Sequence, residues 1–426
     1  MATSRNRVIY QSEALFVSPT ATGGHYTGAT RVIENKPTDV LYAGGSCLRQ
    51  IKRVQSANYS FTVNRQDVNE YGKLSRIDSV VVDTPTVNMD FSYYITDGEN
   101  ERLLGFVIDG QTSTMSGHFD PTVGAGQNYF ILTVPEGQDA IAGDISALAA
   151  DKSVIALGNG YITDYSVEMA VGGMPTASIS VEGFNILSST GYSNIDIPAI
   201  DPRNGSKCCD KSFTIPAATT GAGVSCLRPG DITLDLQNAA LMSKQVSGDA
   251  MSPLPGSAHV QSVSINIPMS RTILQRLGNT FGFSRELDVP LTATMTVNAL
   301  VADLKTNGEM NTDTDLLSLL CGEHKKDLKV TLHDPTCLQC DYNRPSGMIF
   351  ELKGALLESE SYSSSIGDNK TVDLTFSTQI GGVTDTTLGM FISGSNKSED
   401  NFGRPPQVIG DTLTYWQPID EKYPNG

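Results

Sequence analysis

Val87-Asn88-Met89-Asp90-Phe91-Ser92-Tyr93-Tyr94-Ile95 places apolar residues at every second position, with mostly polar groups between them. That period matches the alternation of side chains across a pleated strand, so the stretch predicts an antiparallel strand with one face in a core and one in water. Leu291-Thr292-Ala293-Thr294-Met295-Thr296-Val297-Asn298-Ala299-Leu300-Val301 repeats the pattern. Sliding the chain by 206 residues brings Val54-Gln55-Ser56 onto Val260-Gln261-Ser262, Arg65 onto Arg271, Gly72 onto Gly278, Met89 onto Met295 and Asp97 onto Asp303, about 8 identities in 44 ungapped positions. The alternation agrees as well, since Tyr59, Phe61 and Val63 fall on Ile265, Ile267 and Met269. Identity and pattern together predict a tandem duplication.

Each copy then reaches acidic residues ahead of a short apolar cluster, Glu99-Asn100-Glu101-Arg102-Leu103-Leu104 and Asp313-Thr314-Asp315-Leu316-Leu317-Ser318-Leu319-Leu320. Acids suit a helix N-terminus, so one short helix per copy is predicted. Each copy closes with a hairpin: Tyr161 to Val171 turns at Gly172-Gly173 and returns through Thr176 to Val181, and Leu356 to Ile366 turns at Gly367-Asp368-Asn369 and returns through Thr371 to Phe376. Glycine supplies the positive φ that such turns demand. Here the offset is 195, which gives the first copy about eleven extra residues, expected in the Gly-rich stretch between Asp109 and Gly126.

The predicted fold class is mainly β: two tandem β-sandwich or barrel modules, each with one short helix and a long hairpin, plus extended arms. The limits are an N-terminal arm at 1–50, module one at 51–187, a connector or insertion at 188–256, module two at 257–382 and a C-terminal arm at 383–426.

Of 426 residues, 30 are Lys or Arg and 47 Asp or Glu, a net charge of −17. That balance opposes a protein that grips phosphate backbones, but suits a surface past which DNA slides without sticking. Charged residues make up only 18%, while Ser and Thr number about 80, so much of the polar surface is hydroxyl. No leader peptide or membrane span is expected. Seven cysteines, an odd number in a large chain, read as reduced thiols made in a cytoplasm.

Few residues suggest chemistry. His333, Cys337 and Cys340, with Cys321 and His324, have the right types for zinc but not two clear ligand pairs, and ordinary thiols are the plainer reading. Cys208-Cys209 with Cys226 is weaker still. Asp303 to Gly308 faintly resembles a calcium loop, yet Lys305 takes a ligand position and Thr314 stands where a bidentate Glu is needed. Gly158-Asn159-Gly160 and Gly221-Ala222-Gly223 lack the strand-then-helix context of a nucleotide site and read as turn glycines. His118-Phe119-Asp120 reads as a surface loop beside Pro121. No catalytic residue, metal or cofactor is expected, and the chain is not expected to be an enzyme.

The hairpins are acidic. From residue 153 to 202 there is no Lys or Arg, while Asp164, Glu168 and Glu182 lie in the first hairpin segment. Glu358, Glu360 and Asp373 lie in the second, among Glu351, Asp368, Lys353 and Lys370.

A strand pair, a short helix and a closing hairpin of the type Tyr165-Ser166-Val167-Glu168-Met169-Ala170-Val171-Gly172-Gly173, returning through Ala177-Ser178-Ile179-Ser180-Val181-Glu182-Gly183, resemble the tail-tube proteins of long-tailed bacteriophages. The likeness covers 54–187 and 257–382. It implies β-sandwich modules closing into a ring of six, with hairpins joined edge to edge around a negatively charged channel. Because this chain carries two modules, the resemblance implies homotrimer rings with pseudo-sixfold symmetry, or hexamers, stacked into a tube in the virion tail. Tape measure, terminator and baseplate proteins are the implied neighbours, with DNA in transit, no specific DNA binding and no membrane. Channel-lining candidates are Asp164, Glu168, Glu182, Glu358, Glu360 and Asp373. Ring-to-ring contact candidates are Val171, Gly172, Gly173 and Met174 at one tip, and Ile366, Gly367, Asp368 and Asn369 at the other. A trimeric baseplate-hub or distal-tail ring protein would share the module, and a carbohydrate-binding β adhesin is the second alternative, although only Trp416 is present as a tryptophan.

Overall fold

The computed structural model describes residues 13–19, 48–119, 126–135, 139–140, 152–191, 193–201, 206–207, 212–213, 215, 218, 226–227, 232–237, 260–278, 281–282, 284–300, 325–333, 346–363, 371–394, 407–409 and 412–414. The chain is mainly β, with large antiparallel sheets and few helices. The first half contains β1 (Glu13–Pro19), β2 (Val54–Thr62), β3 (Arg65–Val68), β4 (Asp78–Val81) and β5 (Thr86–Tyr94), then β6 (Gly126–Thr133), β7 (Ser153–Ala170), β8 (Thr176–Gly183) and β9 (Asn185–Thr190). Helices α1 (Glu99–Leu103) and α2 (Ser116–Phe119) lie between β5 and β6. The second half contains β10 (Ile232–Gln237), β11 (Val260–Pro268), β12 (Arg271–Leu274), β13 (Ser284–Leu287) and β14 (Thr292–Leu300). It ends with β15 (Lys326–His333), β16 (Ser346–Ser363), β17 (Thr371–Gln379) and β18 (Gly389–Gly394). The second expected helix, at 313–320, lies outside the described residues.

The duplication extends to pairing and register. Module one runs β2-β5-β8-β7 and module two β11-β14-β17-β16, all antiparallel. The β2–β5 ladder shifts register between Val54 and Ser56 and the β11–β14 ladder between Val260 and Ser262, the same place under the 206-residue offset. The closing hairpins shift between Ile162 and Asp164 and between Leu357 and Ser359, the same place under the 195-residue offset. Bulges tend to be designed features of a strand, so two bulges at matching positions tie the copies together more firmly than eight identities do. Tyr129 opposite Leu157 corresponds to Leu328 opposite Leu352, an intermediate offset of 199. Seven of the extra residues of module one (206 less 199) therefore precede β6 and four (199 less 195) follow it, instead of all lying between Asp109 and Gly126.

β7 serves two layers. Its first half pairs with β6 and β9, and its second with β8. The change of direction falls at Asn159, whose φ of 53° matches the 64° of Gly354, the residue 195 positions later in β16. Asparagine tolerates this left-handed region better than most residues. Its buried amide also ties down the connector, donating to the Ile200 carbonyl at 3.1 Å and accepting from the Ile200 N–H at 2.8 Å. Gly158 lets the connector approach, since a Cβ there would lie 2.4 Å from the Pro198 carbonyl oxygen. Gly158 and Gly160 thus sit within a bent strand, not in the turn expected for them.

The modules also reach past the limits that the hairpins suggest. β1 pairs with β6 and β10 with β15, so the lead segment and the connector each supply a strand, and β18 adds another to β16. Both halves then merge. β11 pairs with the second half of β7, Ser262 opposite Ala170 through Pro268 opposite Asp164, giving one continuous order β2-β5-β8-β7-β11-β14-β17-β16. At this seam Tyr165, Val167, Ile265 and Ile267 are at most 1% exposed, and one apolar cluster runs through both modules. The loop between α1 and α2 adds a second tie, with the Thr114 N–H on the Met390 carbonyl at 3.0 Å.

Candidate functional site

Because the eight-strand sheet alternates, it has an apolar face and a polar one. Val87, Met89, Phe91 and Tyr93 of β5 point inward with Ile179 and Val181 of β8, Ala293, Met295 and Val297 of β14, and Leu374 and Phe376 of β17. The opposite face is built from Ser, Thr, Asn and acids, and no Lys or Arg occurs in the paired residues of these strands, counting β7 from 162 and β16 from 356. Donors on neighbouring strands hold the carboxylates: Ser180 donates to Asp90 at 2.7 Å, Asn298 to Asp373 at 2.6 Å, and Ser377 to Glu358. These neutral donors fix the acids while leaving their charge uncompensated. Glu182 differs, because Arg285 pairs with it at 2.7 Å. Burial raises the Asp164 carboxyl above its ordinary range.

Of the six channel candidates, Asp164, Glu168, Glu182, Glu358 and Asp373 lie on this polar face. Glu360 does not: it stands opposite Leu374, on the apolar side. The bulge between Leu357 and Ser359 resets the alternation, so two acids only two residues apart point to opposite faces. Asp90 belongs to the polar face and escaped the sequence reading, although its place between Met89 and Phe91 would have located it.

The two ends of the sheet differ from its middle. Among the described residues β2 and residues 356–363 of β16 each have a strand neighbour on one side only. Tyr59 and Phe61 of β2 are 45% and 61% exposed, and Leu356 and Tyr362 of β16 are 41% and 52% exposed. The seam equivalents of Tyr59, Phe61 and Tyr362, which are Ile265, Ile267 and Val167, are buried.

At the first hairpin tip Val171 and Met174 are exposed, and Gly172 has a φ of 82°. Ile366, Gly367, Asp368 and Asn369 lie outside the described residues. Two further hairpins, β3–β4 and β12–β13, project at equivalent positions, with Tyr71, Leu74 and Leu277 fully exposed near Gly72 and Gly278. The coincidence of those two glycines was the sequence signal for them.

The interior of module one holds a polar cluster. The Glu101 carboxyl accepts from Tyr93 Oη at 2.9 Å and from Tyr165 Oη at 3.5 Å, and burial pushes its pKa up to about 7. His118 is not in a surface loop. It is buried in α2 against Phe106, with ring centroids 4.8 Å apart, and lies beside Gly105. Burial, helped by the charge of Arg271, holds its pKa down to about 3. Arg271 donates Nε to the Ile162 carbonyl at 3.4 Å and lies over the Tyr161 ring. Burial lowers its pKa to about 10. This cluster packs beside the seam, where Arg271 ties β12 to the Ile162 carbonyl of β7.

Among the described residues there is no group of three or more His, Cys, Asp or Glu placed to hold a metal. The side chains of Cys321, His324, His333, Cys337 and Cys340 lie outside them. Nor, among the described residues, is any helix long and apolar enough to cross a membrane.

No family model and no curated protein matches the chain. Among solved structures it is similar to a chain in the six-fold symmetrised cryo-EM structure of the anti-feeding prophage baseplate, at 12% identity and a TM-score of 0.19, over 32% of this chain and 80% of that one. A likeness of that size fixes neither fold nor function.

Proposed function

We propose that this protein is a structural subunit, not an enzyme, whose copies join edge to edge into a ring with a polar, acidic inner wall, and that the ring belongs to a phage-type tail. The observation that carries this reading is the seam between β7 and β11. There one module has already been joined to its duplicate through strand edges, and among the described residues the same two edge types stand open at the ends of the sheet. An open edge with unpaired N–H and C=O groups is an aggregation hazard, and closure removes it.

The resemblance of the hairpins to tail-tube proteins supplies the finer reading: three chains give six modules, and such rings stack head to tail into a tube, an open-ended assembly. The projecting apolar hairpins β3–β4 and β12–β13, together with the Val171–Met174 tip, are the surfaces available for stacking. DNA then passes a wall of hydroxyls and fixed carboxylates whose paired strands carry no Lys or Arg among the described residues, the Arg285 partner of Glu182 being buried.

Mass measurement of the purified chain and electron microscopy test this directly. Closed three-chain rings that stack into tubes support the tube reading, and rings that never stack support a hub or distal-tail position. A protein that stays monomeric at every concentration, with and without preformed tail particles as template, refutes both.

A further inference from the structure

Resting on the ring reading above, we infer that the contact between copies reproduces the register of the internal seam: β16 of one copy pairs antiparallel with β2 of the next, Asn58 opposite Ser363, Tyr59 opposite Tyr362, Ser60 opposite Ser361, Phe61 opposite Glu360 and Thr62 opposite Ser359.

The register is fixed by quantities internal to the chain. At the seam Ser264 stands opposite Glu168, Ile265 opposite Val167, Asn266 opposite Ser166, Ile267 opposite Tyr165 and Pro268 opposite Asp164. Subtracting 206 carries the β11 residues onto Asn58 to Thr62, and adding 195 carries the β7 residues onto Ser363 to Ser359. Each offset is pinned by a duplicated bulge, Val54/Ser56 with Val260/Ser262 for the first and Ile162/Asp164 with Leu357/Ser359 for the second. A bulge prevents the strand from slipping by two residues while keeping its faces.

Exposure points the same way. Tyr59 and Phe61 occupy the positions of Ile265 and Ile267, and Tyr362 that of Val167. The seam set is at most 1% exposed, whereas the edge set is 45% to 61% exposed. A large apolar residue on the core face of an edge strand is the mark of a neighbour not yet present. Arg65 corresponds to Arg271 and is exposed, so on closure it takes an equivalent seat and donates to the Leu357 carbonyl, as Arg271 does to Ile162. One position differs in kind. Glu360 occupies the seat of Tyr165, which makes this contact weaker than the seam and able to assemble late.

The pair to test is Ser60 with Ser361. At the seam the directly opposed pairs Met269/Thr163 and Val171/Gln261 carry hydrogen bonds, so Asn266/Ser166, which alternates with them, is a non-hydrogen-bonded pair. Ser60/Ser361 inherits that character, with Cα atoms roughly 4.5 Å apart, inside the range a disulfide spans.

The chain carrying Ser60→Cys and Ser361→Cys is assembled, oxidised and run on a non-reducing gel beside the wild type. A partner set, Ser60→Cys with Ser363→Cys, tests a two-residue slip. All three serines are exposed, so folding is not at issue. The expected result is a shift of the in-register variant from monomer to covalent dimers and trimers that reduction dissolves, with the slipped variant and wild type left as monomer bands. Crosslinking of the slipped variant instead, or of neither in particles whose mass shows closed rings, overturns the register while the ring reading stands. Absence of any oligomer by mass overturns both.

Discussion

β2 and β11 are copies of one strand, yet Ile265 and Ile267 are completely covered while Tyr59 and Phe61 stand 45% and 61% exposed. The alternation that builds the two strands is the same, and so is the bulge at their start. What differs is the neighbour: β11 lies against β7, and β2 has β5 on one side only among the described residues. A single-chain monomer would gain from a polar outer edge. Retention of Tyr59, Phe61 and Tyr362 means that the edge has the composition of a core position, and the duplicated seam serves as a worked example of what covers it.

The comparison breaks most sharply by placing the same charge on each strand. Ile267→Asp buries a carboxylate without a partner at the seam, and should cost about 4 kcal/mol or more, with loss of the cooperative thermal transition. Phe61→Asp, at the equivalent position, should change the stability of the isolated chain by no more than about 0.5 kcal/mol, while ring formation disappears by mass measurement. Equal destabilisation by the two variants would show that β2 is already covered.

A second contrast concerns acids near the Tyr165 seat. Glu101 is buried beneath Tyr93 and Tyr165 with a pKa raised to about 7 from an ordinary 4.5. The folded state then binds the proton more tightly than the unfolded chain, so this contribution is fully present below about 4.5 and is lost as pH rises through about 7. The span corresponds to roughly 3 kcal/mol. His118 works the other way: its pKa is held down to about 3, so its contribution is present above about 6.5 and is lost as pH falls. Glu101→Gln should therefore leave stability rising with pH up to about 6.5, followed by chemical denaturation at a series of pH values. A stability difference between wild type and variant that stays constant from pH 4.5 to 7 would rule out the raised pKa.

The strand bends offer a smaller contrast. Asn159 and Gly354 hold the same left-handed conformation in β7 and β16, one with a side chain and one without. Asn159→Gly loses the two hydrogen bonds to Ile200 and should cost about 1 to 2 kcal/mol. Asn159→Ala adds backbone strain and should cost roughly a further 1 kcal/mol. Thermal melts that rank the two variants in reverse would deny the bend its conformational role.

These contrasts also show what the amino-acid order could reveal. The half-buried strands β5 and β14 were legible because water on one face and core on the other impose a period of two. Both offsets were legible for the same reason. β6 was hidden, since all eight of its residues are buried and alternation vanishes. The joining of β1 and β10 to the modules, and of β7 to β11, depends on pairing between distant segments that carry no local mark. Glu360 was misplaced because a bulge is silent in sequence, and His118 because nothing in the local sequence marks its packing against Phe106. The acidic face was readable as composition, while its membership depended on register.

The smallest effect on folding tests the wall itself. Asp90, Glu168 and Glu358 are exposed on the polar face, so reversing each to Lys should alter stability by about 0.5 kcal/mol or less per site. Asp67, Glu70 and Asp78 on the projecting β3–β4 hairpin, also exposed but off the sheet, serve as the comparison region, so that both triple reversals change the net charge by the same amount. On assembled rings the wall variant should bind double-stranded DNA that the wild type ignores, with affinity falling linearly in log salt as phosphate contacts release counterions. Reversal on the hairpin should leave little binding inside the ring, since the wall keeps its carboxylates. Binding that is equal for the two variants would mean that net charge alone governs the encounter, and that the continuous sheet has no privileged relation to DNA.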